Sequence, residues 1–252
     1  MLREGAADRM PPRARVQRTG DHMKKAVRIF CAVWALVMTF GAAACSEGSS
    51  STQEQPEPEK KEYMLMMGDS LFDFWKNTCK EDLGTEDLLN VAIGGTTSEF
   101  WMQNSSIADR AIERLNRLNI DVDRIAISLG TNDVYFQKDG KSVAEGENGL
   151  QDLLEFLHSS YPDAHIYLLT INICGETTRW DLREEVRECN NIMREYCAQL
   201  DWAEMVETET AFYNDANFEE KPAAEYFTSD YLHFSEQGYE LLAEIMCEAI
   251  EL

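Results

Sequence analysis

The chain has 252 residues, 44% hydrophobic and 27% charged, enough for one folded domain with a full core, yet its formal net charge is −23. Residues 1–44 hold eight Lys/Arg against three Asp/Glu, which leaves −28 on the remainder. A surface of that sign repels phosphate backbones and anionic headgroups, and this excludes nucleic acid as a partner.

Residues 1–22 are rich in Arg and Pro and have no apolar period. Met23 reads as the translation start. Lys24, Lys25 and Arg28 follow it, then an apolar run from Ile29 to Phe40, then Gly41-Ala42-Ala43-Ala44-Cys45. Basic, apolar and small residues in that order make a signal peptide. The Ala-Ala-Cys ending resembles a bacterial lipobox, which implies that Cys45 is lipidated and becomes the mature N-terminus. Ala42 stands where that motif usually has leucine. Plain secretion and an uncleaved anchor are the alternatives, although the run is short for a span. Residues 46–61 contain no apolar side chain and read as a flexible tether. The expected layout is therefore residues 1–45 as targeting sequence, 46–61 as linker and 62–252 as one domain. That domain is expected outside the cytoplasm, touching the membrane through the N-terminal lipid only.

From Tyr63 onward strand and helix signals alternate. Strands are predicted at Tyr63–Met67, Leu88–Ile93, Arg124–Leu129, His165–Ile173 and Ala203–Val206. Helices are predicted at Leu71–Lys80, Ile107–Leu118, Leu150–Leu157, Leu182–Leu200 and Ser235–Ile250. The βαβα order argues a parallel sheet covered by helices on both faces. Cys79, Cys174, Cys189, Cys197 and Cys247 lack metal-type spacing and read as buried thiols, with one disulfide as the alternative.

The first strand runs into Gly68-Asp69-Ser70, the second into Gly94-Gly95-Thr96-Thr97 and the third into Gly130-Thr131-Asn132-Asp133. Carboxyl ends of parallel strands converge on one edge of a sheet, where ligands bind. Asp230-Tyr231-Leu232-His233 precedes the last helix. These types suit acyl transfer. A serine hydroxyl needs a base, an imidazole suits neutral pH, and a carboxylate fixes the imidazole tautomer. An oxyanion needs fixed N–H donors. Ser70 is thus the candidate nucleophile, His233 its base and Asp230 the orienter. Gly95, Asn132 and the Ser70 N–H are the candidate oxyanion donors. For Gly-Asp-Ser alone, a turn with a helix-capping serine is the competing reading.

Asp69 and Asp133 read as loop braces, and His158 and His165 as surface or packing residues. Four scattered histidines offer no metal cluster, so no metal or cofactor is expected. Trp75, Phe100, Trp101, Tyr135, Phe136 and Trp180 follow the candidate segments and could equally wall a pocket, stack on a sugar or fill the core.

Taken together, Gly68-Asp69-Ser70, Gly95, Gly130-Thr131-Asn132-Asp133 and Asp230–His233 resemble the GDSL lipase/esterase superfamily, the SGNH hydrolases, over residues 62–252. The segment Leu232–Tyr239 is similar to that family's C-terminal stretch. The resemblance implies a flavodoxin-like three-layer α/β/α sandwich with a parallel sheet of about five strands. It also implies an acyl-enzyme mechanism with the roles given above. One departure stands out: many members have a glycine a few residues after the serine, where this chain has Leu71-Phe72-Asp73-Phe74-Trp75. The expected substrates are small acyl esters, including O-acetyl groups on carbohydrate, whether small-molecule or glycan. A lysophospholipase or thioesterase, and a non-catalytic carbohydrate-binding lipoprotein on the same fold, are the competing readings.

Overall fold

The computed structural model describes residues 61–252, apart from 214–220 and parts of 105–119. The targeting segment, Cys45 and the tether up to residue 60 lie outside the described residues. The strands are β1 (Lys61–Gly68), β2 (Leu88–Asn90), β3 (Ile120–Ser128), β4 (His165–Leu169) and β5 (Ala203–Val206). They form one parallel sheet in the order β2-β1-β3-β4-β5. This is the flavodoxin-like order, and it places the topological switch point between β1 and β3.

Helices cover both faces, because side chains alternate along each strand. Met64 and Met66 of β1 and Ala126 of β3 pack with Leu71, Phe72 and the last helix, Glu236–Ile250. Leu65 and Met67, with Ile125 and Ile127, pack with the helices Leu150–Ser160 and Arg183–Cys197. All four residues Met64–Met67 are buried, and each contributes about 1.5–3 kcal/mol relative to exposure. This is why the central strands read as unbroken apolar runs. At the end of β1 only glycine fits, since a Cβ at Gly68 would collide with the Ser128 carbonyl of β3. The chain must turn there, and the turn brings Ser70 to the switch point.

Several predicted boundaries shift. The expected helix Leu71–Lys80 is two short pieces, Ser70–Asp73 and Cys79–Asp82. Asn90 Nδ2 takes the Phe72 carbonyl at 2.8 Å, and Trp75 N bonds to that same carbonyl at 3.2 Å in a tightened turn. β2 stops at Asn90 because the Asn90 side chain accepts from Ala92 N at 3.1 Å and bends the chain. β4 stops at Leu169, as Ile171 N and O are both bonded by the Asn190 side-chain amide, at 2.8 and 2.9 Å. Helices also form at Ser98–Gln103, Thr131–Gln137 and Gly140–Glu145, where the sequence shows no apolar period. Of the expected helix Ile107–Leu118, Ile107, Arg110, Glu113 and Arg117 are helical and the rest lies outside the described residues. Cys79, Cys174, Cys189 and Cys197 are buried free thiols, and Cys247 is a half-buried one. Among the described residues no helix is long and apolar enough to cross a membrane.

Candidate active site

Ser70 follows β1 and opens a short helix capped by Asp69, whose Oδ1 accepts from Leu71 N at 3.0 Å. The cap leaves the serine hydroxyl free for another partner. That partner is His233, whose Nε2 lies 3.0 Å from Ser70 Oγ. On the other side of the ring, Nδ1 lies 2.7 Å from Asp230 Oδ2. The turn holding His233 and Asp230 is closed by the bridge Phe227–Phe234 and by Thr228 N donating to His233 O at 2.8 Å.

Gly95 and Asn132 end on the same edge of the sheet. Gly94 N donates to Asp73 Oδ2 at 3.0 Å, and this anchors the turn in which Gly95 adopts a φ of 78°. Gly130 has a φ of 112°, a conformation open to glycine, and it caps the helix Thr131–Gln137. Asn132 is buried on that helix. Its Nδ2 donates to Thr96 O at 3.0 Å and to Asp69 Oδ2 at 3.3 Å.

The family model for the GDSL-like lipase/acylhydrolase family matches residues 48–241. The chain belongs to that family. Solved structures agree in fold. A protein from Streptococcus pneumonia, provisionally named a platelet activating factor, has TM-score 0.60 at 22% identity, covering 75% of this chain and 84% of that one. A GDSL-like lipase from Bacteroides thetaiotaomicron has TM-score 0.57 at 19% identity, with 76% and 88% covered. The C-terminal catalytic domain of peptidoglycan O-acetyltransferase A from Streptococcus pneumoniae has TM-score 0.51 at 14% identity, with 77% and 94% covered. No curated protein matches the chain.

Within this GDSL-family site the two carboxylates nearest the serine and histidine behave oppositely. Asp230 is only partly desolvated. Hydrogen bonds from His233 N, Thr228 Oγ1, His233 Nδ1 and Leu232 N outweigh that penalty and hold its carboxyl well below the usual range. Its side chain is 48% exposed, so the bonds, not burial, keep it charged. Asp69 is fully buried, and burial pushes it up to about 7 against the pull of the Leu71 N–H. Asp133 is likewise raised by burial, and its Oδ1 accepts from Ser98 N at 2.9 Å and Ser98 Oγ at 2.6 Å. Both aspartates therefore brace the loops that carry the site.

The Asp69 shift has a consequence for stability. The unfolded chain releases this proton near 3.8 and the native state near 7, so the native state binds more protons between those values. Stability from this group is full below about pH 4, falls as pH rises to about 7, and is flat above. The loss is on the order of 4 kcal/mol. The Asp230 contribution has the opposite sign and is lost only on acidification below the ordinary carboxylate range. The difference in unfolding free energy between wild type and Asp69→Asn, measured in urea from pH 4 to 8, should move against the wild type across that window. A pH-independent difference would show that Asp69 is charged throughout.

The remaining candidates are spread through the fold. His158, on the helix Leu150–Ser160, stacks on Trp202 with ring centroids 4.1 Å apart, and His165, at the start of β4, lies 4.9 Å from the Tyr167 ring. Trp75 and Trp101 are core residues, Phe100 and Trp180 pack partly buried against the core, and Phe136 is exposed. Phe74 is 59% exposed, and its ring lies 4.6 Å from the His233 ring. Phe74, Asp73 and Thr228 touch the site without having stood out as site residues in the sequence. For Asp73 the available signal was a carboxylate one helical turn after Ser70. Among the described residues no group of three His, Cys, Asp or Glu side chains is placed to hold a metal.

Proposed function

We propose that the protein is a serine ester hydrolase for small acyl esters, including O-acetyl groups on carbohydrate, acting through an acyl-enzyme. The observation that carries this reading is the continuous series Asp230–His233–Ser70, with links of 2.7 and 3.0 Å. His233 Nε2 takes the proton of Ser70 Oγ as the oxygen attacks the ester carbonyl. Nδ1–H stays bonded to Asp230, whose charge stabilises the imidazolium. The oxyanion accepts from Ser70 N, Gly95 N and Asn132 Nδ2. The imidazolium then gives its proton to the departing alcohol, and water reverses the sequence to free the serine.

Small esters are favoured by Phe74, whose ring crowds the imidazole at 4.6 Å in the stretch where many family members have a glycine. The carbohydrate reading is supported by the fold shared with an O-acetyltransferase domain, since acetyl transfer uses the same covalent intermediate. The apolar run, the small residues before Cys45 and the tether support an extracytoplasmic protein held by a lipid on Cys45. One experiment addresses both parts: hydrolysis of acetyl, butyryl and decanoyl esters by membrane and soluble fractions of cells making wild type or Cys45→Ala. Acetyl esters should turn over fastest, in the membrane fraction, and lipid labelling of the protein should be lost in the variant. A preference for decanoyl esters would sink the small-acyl reading. Equal membrane retention of the two proteins with no lipid label on the wild type would sink the lipid anchor.

A further inference from the structure

The loop after β4 builds a second polar feature beside the site. A small cavity is lined by Thr131, Tyr135, Asn172, Cys174, Arg179 and three aliphatic side chains, with about 10 Å³ of space for the centre of a water-sized group. That is room for one water or one small functional group. Asn172 is 4% exposed, and its Oδ1 is buried without a hydrogen-bond partner. Arg179 Nε is also buried and has none. The guanidinium lies over the Tyr135 ring at 4.4 Å, and its Nη1 is 3.6 Å from Glu176 Oε2. A buried donor and a buried acceptor left unpaired are each costly. Natural interiors keep few such groups, and each calls for a partner: a water, an ion or a ligand.

Two links tie the cavity to the neighbourhood of the candidate site. Thr131 precedes Asn132 in the chain, and the charge of Arg179 acts on Asp69, next to Ser70. The loop packs on the residues before His233. Glu176 N donates to Tyr231 O at 3.1 Å, and a Cβ on Gly175 would lie 3.0 Å from the Tyr231 ring. The departing alcohol takes its proton from the His233 imidazole, which ties a loop packed on the residues before His233 to the alcohol's side of the ester.

We propose that Arg179 and Asn172 form a subsite for a hydroxyl on the alcohol portion of the substrate, so that the substrates are monoacyl esters of sugars or other polyols. The proposal rests on the ester-hydrolase reading above. A hydroxyl is at once acceptor and donor: it accepts from Arg179 Nε–H and donates to Asn172 Oδ1. A carboxylate has no proton to donate to the Asn172 oxygen, and an apolar group would leave both atoms unpaired. Glu176 already balances the guanidinium, which further favours a neutral partner.

The test compares 2-hydroxycyclohexyl acetate and a methyl glucoside monoacetate with cyclohexyl acetate, each rate corrected for its reactivity with hydroxide. The wild type should prefer the hydroxylated esters in kcat/KM by at least ~10-fold. In Asn172→Leu, and independently in Arg179→Met, the ratio should fall to about twofold or less. Turnover of all three esters by the wild type at a ratio near one overturns the subsite and leaves the hydrolase reading standing. An unchanged ratio in a folded variant overturns it too, and assigns the cavity to a structural water. Failure to hydrolyse any ester, with no acyl adduct on Ser70, overturns the hydrolase reading first and the subsite with it.

Discussion

Ser70→Ala should abolish ester hydrolysis, with kcat reduced on the order of 10⁵–10⁶ and no covalent acyl intermediate. The loss is large because the members of such a set act as a unit, so removing the nucleophile forfeits nearly all that the base and its carboxylate contribute. Stability should hardly change. The capping role belongs to Asp69, and the lost contact of the serine is one bond to the partly buried His233 imidazole. The melting temperature should therefore stay close to that of the wild type, as expected for a surface change outside the core. The check is intact-protein mass spectrometry after quenching with a short-chain ester, run beside a melt. An acyl mass on the Ala variant, or activity within a hundredfold of wild type, would move the covalent chemistry to another residue. Capping by Ser70 itself would instead predict a lowered melt.

Asn132→Ala should lower kcat by roughly 10²–10³ with KM little changed. In the resting site both N–H bonds of the amide are engaged, with Thr96 O at 3.0 Å and Asp69 Oδ2 at 3.3 Å. The first holds the amide in place. The second is the longer, and an oxyanion that displaces it gains a donor already oriented. Because this exchange occurs as charge develops, the effect belongs to the transition state. The substitution also strands the Thr96 carbonyl and removes a partner of Asp69, so a stability loss of about 1–3 kcal/mol accompanies it. A role confined to bracing would give that stability loss with near-normal kcat in the folded fraction. Measuring kcat, KM and the melt on one preparation separates the two. Asn132→Asp, which keeps the shape and removes the donors, should be as slow as the alanine variant.

What the sequence reveals and hides follows from the range of the interactions. The strands are legible because a sheet buried on both faces demands unbroken apolar runs such as Met64–Met67. The candidate site is legible because each segment sits where an apolar run ends in small or polar residues. Long-range capture of backbone groups is not legible. Asn90 shortens the first helix by taking the Phe72 carbonyl, and Asn190 ends β4 by pairing both polar groups of Ile171. No local period announces either. The helices after Gly130 are hidden for a different reason. Their positions depend on a glycine at positive φ and on the Asp139 side chain accepting from Ser142 N, not on an apolar stripe. The Asn172–Arg179 pair is equally invisible, since only the folded loop brings an unpaired donor and acceptor to one cavity.

The dyad of Ser70 and His233 spans 163 positions of the chain. Every strand between them joins a parallel sheet, and each parallel pairing needs a crossover before it forms. Closing so long a segment is entropically costly until the intervening strands have paired. During synthesis Ser70 leaves the ribosome near the start of the domain, and His233 emerges almost at the end. A nascent chain is thus chemically silent for most of its elongation, even with four strands already made. Hydrolysis begins only once the last turn has docked, so recovered activity after refolding reports completion of the whole domain.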